Sequence, residues 1–147
     1  MVDFTQARQN MVDCQLRTNK IVDDGLIDAF LNVPRELFVD PDHLAVAYTD
    51  IDVPVGNQRK MVEPMVLANL IQAVSAQPHE VALDVGCGTG YSSAILAHLV
   101  TTVVALETDK ELATKANNNF TNLAVDNAVV VEGELNQGYA TQGPYDI

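Results

Sequence analysis

Ten residues near the middle of the chain, Ala82 to Tyr91, read ALDVGCGTGY: an apolar run that closes on an acid, followed by glycines at alternate positions, Gly86, Gly88 and Gly90. Val81, Ala82, Leu83 and Val85 suit a buried parallel strand, and Tyr91 to Leu99 carries the 3.6-residue period of a helix. The glycines therefore fall at a strand-to-helix turn. Lacking Cβ atoms, they admit backbone angles closed to other residues and let a ligand approach the main chain, while the following helix points its free N–H groups at that ligand. The same glycines also serve a plain tight turn in which Asp84 caps the helix. The ordered set of strand, acid, glycine loop, helix, strand and terminal acid favours a cofactor loop.

Details of the loop discriminate between ligands. A dinucleotide fingerprint, G-x-G-x-x-G, requires its third glycine at position 91, which is Tyr91. Asp84, two residues before the first glycine, repels a pyrophosphate but attracts the ammonium end and sulfonium of a methionine-derived ligand. Both features favour S-adenosylmethionine. Glu107 closes the next apolar run, Thr102 to Leu106, about 20 residues after the loop, where an acid can accept both ribose hydroxyls of either cofactor. Half of an NAD-dependent oxidoreductase shares Glu107 and conflicts with Asp84 and Tyr91.

The rest of the chain frames that loop. Residues 3 to 18 and 23 to 33 read as helices, the first with Phe4, Ala7, Met11 and Cys14 on one stripe, the second with Leu26, Ile27, Phe30 and Leu31. From Pro34 to Pro64 prolines and Gly56 punctuate a structured loop with short strands. Residues 1–64 thus form an N-terminal helical and loop segment, and residues 65–147 begin the alternating β and α pattern. Its pieces are a helix over Met65 to Val74, the strand at Val81, and a second crossover helix. Thr108 with Glu111 reads there as a capping box, and Leu112, Ala116 and Phe120 repeat every four residues. A further strand follows over Ala128 to Glu132. Gly133 and Glu134 then occupy the carboxyl edge, where open α/β sheets place ligands, and Glu134 is a candidate for an adenine amino group or simply a solvated acid.

With 147 residues, 48% of them hydrophobic, the chain has material for one core and too little for two full domains. Its 20 acids against 8 bases give a net charge of −12, which argues against nucleic acid as a partner. No apolar run approaches the roughly 20 residues of a membrane span, and MVDFTQARQNMVD lacks the regions of a signal peptide, so no membrane partner and a cytoplasmic protein are expected. Cys14 and Cys87 are expected as free thiols, Cys87 being a small residue suited to the loop. His43, His79 and His98 have no ligand-like spacing, so no metal site is expected.

Several stretches together resemble the protein-L-isoaspartate O-methyltransferases, a family of the class I S-adenosylmethionine-dependent methyltransferases. They are VPRELFV at Val33 to Val39, AYTDIDVPVG at Ala47 to Gly56, EPMVLANLIQAV at Glu63 to Val74, LDVGCGTGYSSAILA at Leu83 to Ala97, ALETD at Ala105 to Asp109 and the closing GPYDI. The glycine loop is shared by all class I enzymes; VPRELFV with AYTD and VPVG is narrower. The resemblance implies an α/β fold: a Rossmann-like doubly wound class I sheet, here C-terminally truncated, with an N-terminal helical appendage. It also implies methyl transfer to the carboxylate of L-isoaspartyl residues in damaged proteins, so that the partner is a protein or peptide carboxylate. The cofactor-binding set is then Asp84, Gly86, Cys87, Gly88, Gly90, Glu107 and Glu134.

This chain departs from the family at two points. Where the family has a pattern like QTISQP, with a serine hydroxyl near the transferring methyl, this chain reads RKMVEP and places Val62 at the serine position. Valine neither donates nor accepts a hydrogen bond, so the serine's role does not carry over. An S-adenosylmethionine-binding module, or a relative with another acceptor and no isoaspartyl activity, is the alternative. The second departure is length. The family resembles a seven-stranded sheet, and Tyr145, Asp146 and Ile147 fall where a fourth strand begins. A truncated chain is expected, with the Val81 strand left unpaired on one edge and self-association through that edge. Tyr48, Asp50 and Asp52 lie in the segment resembling the family's substrate-facing loop, where a packed tyrosine and surface acids are the plain alternative.

Overall fold

In the computed structural model, which describes residues 2–147, the N-terminal helix α1 (Phe4–Met11) starts where the Asp3 carboxylate accepts the Gln6 N–H at 3.0 Å. The expected single helix over 3–18 changes pitch twice. A π-helical turn spans Val12–Leu16 and a 3₁₀ turn Arg17–Asn19, closed by Lys20 in the left-handed region. Met11 and Leu16, five residues apart as a π turn requires, both face the core with Val12, and Cys14 is turned out to solvent instead of continuing the stripe. Helix α2 (Asp24–Asn32), capped by Asp23, buries Leu26, Ile27 and Phe30.

Two 3₁₀ turns, Arg35–Phe38 and Pro41–Val46, lead into an antiparallel hairpin of β1 (Val53–Gly56) and β2 (Arg59–Met61). Helix α3 (Pro64–Val74), with proline at its first position, carries the chain to the alternating region. There β3 (Val81–Val85), β4 (Thr102–Glu107) and β5 (Ala128–Glu132) form a parallel sheet in the order β3-β4-β5, crossed by α4 (Tyr91–Ala97) and α5 (Lys110–Asn122). The N-cap of α5 is Asp109, whose carboxylate accepts the N–H groups of Glu111 and Leu112, in place of the expected Thr108 box. Asp109 directly precedes the first helical residue and its carboxylate reaches both donors.

Alternate sheet residues divide between two faces. Ala82, Val103 and Ala105 join one core with Tyr91, Ile95, Leu112 and Phe120 and with the N-terminal Met11, Leu26 and Phe30. Val104, Leu106 and Val131 face the other side, where Leu135, Tyr139 and Tyr145 pack. The Val81 edge is not bare: the Leu83 N–H donates to the Ile147 carbonyl at 2.9 Å, and the Asp146 N–H to the Val81 carbonyl at 2.9 Å. Among the described residues no helix is long and apolar enough to cross a membrane.

Arg35 ties the irregular segment to this core. Its side chain is fully buried, yet it pairs with no carboxylate; Nε donates to the Ala47 carbonyl at 2.7 Å and Nη2 to the Val62 carbonyl at 2.9 Å. The guanidinium carbon lies 4.8 Å from the centre of the Tyr91 ring, a cation–π contact in a dry setting. Burial lowers its pKa and the neighbouring tyrosines oppose that shift.

Arg35→Ala should cost about 2–5 kcal/mol of unfolding free energy, through the space vacated and the loss of donors to the buried Ala47 carbonyl and the half-buried Val62 carbonyl. Urea denaturation checks this, and a loss under about 1 kcal/mol would show that the brace is dispensable.

Candidate functional site

The glycine loop takes its shape from the end of β4. The N–H groups of Gly86 and Cys87 both donate to the Leu106 carbonyl, at 2.8 and 3.1 Å, and the Gly88 N–H donates to Oε2 of Glu107 at 2.8 Å. Thr89 is tied on both sides, its hydroxyl donating to the Phe38 carbonyl and its own carbonyl accepting from Asn119. Two glycines have different reasons to be there. A Cβ on Gly90, at φ 93°, would lie 2.8 Å from the Phe120 ring, so that residue lets α5 close on the loop. A Cβ on Gly88, at φ 59°, would meet nothing within 4 Å: its bare side faces open space, as a ligand cradle requires.

That open space belongs to a cavity of about 230 Å³ whose walls include Lys60, Val62, Asp84, Gly86, Gly88 and Ser92. The Asp84 carboxylate accepts the hydroxyls of Ser92 and Ser93, both at 2.6 Å, so its side chain is fixed by the first turn of α4. It does not cap the helix backbone. Lys60 has no carboxylate within ion-pair distance among the described residues. Cys87 also lines the cavity, and burial, reinforced by the charges of Asp84 and Glu107, pushes its thiol pKa far up. Beneath them Tyr91 is buried, its pKa pushed up to about 12 mainly by desolvation.

Glu107 is fully buried at the carboxyl end of β4. Arg59 donates to both of its oxygens, Nη1 to Oε1 at 2.9 Å and Nη2 to Oε2 at 3.0 Å. The N–H groups of Thr108 and Asp109 add bonds to Oε1 at 2.9 and 3.1 Å. By its place in the sequence Glu107 suits a pair of ribose hydroxyls; in this structure the chain's own donors take its oxygens. Arg59 is not among the residues expected from sequence. Its available signal was a cation directly after the hairpin turn, in a chain with 8 bases and 20 acids.

Of the residues singled out from sequence, Asp84, Gly86, Cys87, Gly88 and Val62 line one cavity. Gly90 lies behind it against Phe120, and Glu107 is screened by Arg59. Glu134 is exposed just beyond β5, its carbonyl accepting the Gln137 N–H. The fold brings it to the same sheet edge as Glu107, whose carbonyl accepts the Gly133 N–H, but not into the cavity wall. Tyr48 packs away from the cavity: its hydroxyl donates to Glu36 and accepts from Arg8 Nε and the Arg35 N–H. Asp50 is exposed, and the nearby Asp52 accepts the Glu63 N–H at 3.0 Å. Among the described residues no three His, Cys, Asp or Glu side chains gather as metal ligands do.

Comparison with known proteins accords with this geometry. Residues 6–147 match the family model of protein-L-isoaspartate(D-aspartate) O-methyltransferase. The chain is 34% identical over 146 residues to protein-L-isoaspartate O-methyltransferase 1 of Syntrophobacter fumaroxidans, covering 99% of this chain and 68% of that protein. It is 39% identical over 142 residues to the Herpetosiphon aurantiacus protein-L-isoaspartate O-methyltransferase, covering 97% and 63%. The chain thus spans about two-thirds of the length of these curated relatives. Among solved structures, a protein-L-isoaspartate O-methyltransferase superposes with a TM-score of 0.85 at 24% identity, over 95% of this chain and 46% of that one. A beta-aspartate methyltransferase from Plasmodium falciparum in complex with S-adenosyl-L-homocysteine gives 0.76 at 20% identity, over 99% and 72%. At these identities the superpositions speak for the fold.

The raised pKa of Cys87 carries a chemical expectation. At pH 8 its thiol stays protonated and shielded, so iodoacetamide should modify exposed Cys14 in the native protein and leave Cys87 untouched until the chain unfolds. Peptide mass spectrometry reads the order, and early labelling of Cys87 would contradict the burial of the loop.

Proposed function

Because this chain belongs to the protein-L-isoaspartate O-methyltransferase family, we propose that it binds S-adenosylmethionine at the glycine loop and directs methyl transfer to the α-carboxylate of L-isoaspartyl residues in damaged proteins. The observation that carries this reading is one cavity in which a fixed carboxylate, Asp84, stands beside a glycine, Gly88, with nothing in front of its Cα. Those two groups fit the methionine end of the cofactor: Asp84 attracts the ammonium, and the bare backbone at Gly88 admits close approach. When bound, the cofactor supplies an electrophilic methyl group on a cationic sulfur.

The chain's own residues then have limited chemistry to do. A carboxylate acceptor is already nucleophilic, so no strong general base is required, and alignment of the reacting atoms supplies most of the acceleration. The unpaired Lys60 ammonium at the cavity wall offers a counter-charge that holds the acceptor carboxylate. The Val62 side chain gives shape without a hydrogen bond, while its carbonyl is anchored by Arg35. The free thiols of Cys14 and Cys87 suit a cytoplasmic setting for such repair. A second reading, a cofactor-binding module without isoaspartyl activity, is favoured by one observation: the cavity wall carries valine where the resembled pattern carries a serine hydroxyl.

Transfer of labelled methyl to an isoaspartyl peptide, with the aspartyl peptide as control, tests the proposal directly. Labelling of neither peptide, with the cofactor still bound, would favour the second reading, and equal labelling of both would overturn the preference for L-isoaspartyl carboxylates. Asp84→Asn, which keeps the acceptor for Ser92 and Ser93 and removes the charge, should weaken S-adenosylhomocysteine binding about 10- to 150-fold in calorimetry, the equivalent of a lost charge-assisted bond. Val62→Ser should raise kcat/KM for the isoaspartyl peptide by about tenfold, corresponding to ~1.4 kcal/mol of transition-state stabilisation.

A further inference from the structure

The cavity stops short of Glu107 because the β1–β2 hairpin lays a side chain across its end. Besides the fork on Glu107, Arg59 Nη2 donates to the Gly86 carbonyl at 3.1 Å. A Cβ on Gly86 would lie 3.0 Å from the same nitrogen. The guanidinium therefore covers the backbone that the first loop glycine leaves bare. Its side chain remains 29% exposed and that of Glu107 is wholly buried, so the pair is sealed from the protein side and open from solvent. The hairpin tip is fastened as well: Asn57 Nδ2 donates to Asp109 Oδ2 at 2.6 Å. Asn57 and Gln58 both have positive φ, 49° and 60°, the turn geometry whose twist matches paired strands.

An ionised carboxylate offers about four lone-pair sites. Glu107 receives five donations, two from Arg59 and one each from the N–H groups of Gly88, Thr108 and Asp109. Nothing is left to accept a pair of ribose hydroxyls. The backbone donors cannot leave without undoing the loop and the start of α5, so Arg59 is the one donor that can yield.

We propose that Arg59 is an intramolecular competitor for the ribose position: a ribose-bearing ligand seats on Glu107 only after the guanidinium swings off it. Arg59 then sets the affinity of the site for adenosyl ligands and keeps the buried carboxylate neutralised while the site is empty. This inference rests on the cofactor reading given above. In the resembled pattern glutamine stands at this position, a side chain that cannot form the charged fork.

The test is calorimetry on the full chain, wild type against Arg59→Gln, with thermal denaturation to establish that each protein is folded. The probes are S-adenosylhomocysteine, 5′-methylthioadenosine and the 2′,3′-dideoxy form of the latter. Arg59→Gln is expected to bind the first two at least tenfold more tightly and the dideoxy probe no better than wild type does. Binding by wild type with no gain, or a loss, in Arg59→Gln overturns the inference and leaves the cofactor reading standing, as does an equal gain for the dideoxy probe. Folded wild type and variant that bind none of the probes overturn both. Should Arg59→Gln not fold, Arg59→Lys carries the test: it keeps the charge without the fork, and a gain of the same sign but smaller size is expected, its absence overturning the inference.

Discussion

A carboxylate with no exposed surface at the end of a central strand imposes conditions on everything near it. Left unpaired, Glu107 would destabilise the fold by several kcal/mol. Its environment answers with donors from three directions: the glycine loop through Gly88, the start of α5 through Thr108 and Asp109, and the hairpin through Arg59. The loop conformation is thus a consequence of charge neutralisation as much as of its glycines. Because Leu106, the preceding residue, accepts the N–H groups of Gly86 and Cys87, two consecutive residues of β4 hold the first three residues of the loop.

The alternating half of the fold was legible because its signals are local. Strand and helix periods, the glycines and the acids at strand ends fell where the sheet has them, and even the irregular stretch from Pro34 to Pro64 read correctly as turns and short strands. What escaped has a tertiary cause. Cys14 left its predicted stripe because one extra residue per turn at Val12–Leu16 rotates the helix face, a change that apolar spacing of 3.6 does not announce. Asp109 displaced Thr108 as cap because the helix begins at Lys110, which puts the Asp109 carboxylate within reach of the Glu111 and Leu112 N–H groups. Arg59 and Glu107 lie 48 positions apart, and nothing in the text around either marks the other. Tyr48 was marked by its family segment, yet its hydroxyl satisfies Glu36 and Arg8 rather than facing the cavity.

The N-terminal helices are not an accessory to the sheet. Met11, Leu26 and Phe30 share one core with Ala82, Val103 and Phe120, and Phe30 and Phe38 meet Tyr91 edge-on at the first residue of α4. The segment that lines the cavity opposite the glycine loop is therefore positioned by the same packing that holds the sheet. A shift of the loop relative to Val62 has to disturb aromatic contacts beneath both.

Arg35 adds a property of a different kind. Its acceptors, the carbonyls of Ala47 and Val62, neither gain nor lose a proton in water, and a guanidinium stays charged throughout the same range. The anchor on the Val62 carbonyl is therefore indifferent to acidity. The two sides of the cavity are fastened by unlike chemistry, a guanidinium against neutral carbonyls at Val62 and a carboxylate against an N–H group at Gly88, so the two walls do not answer alike to a change of medium.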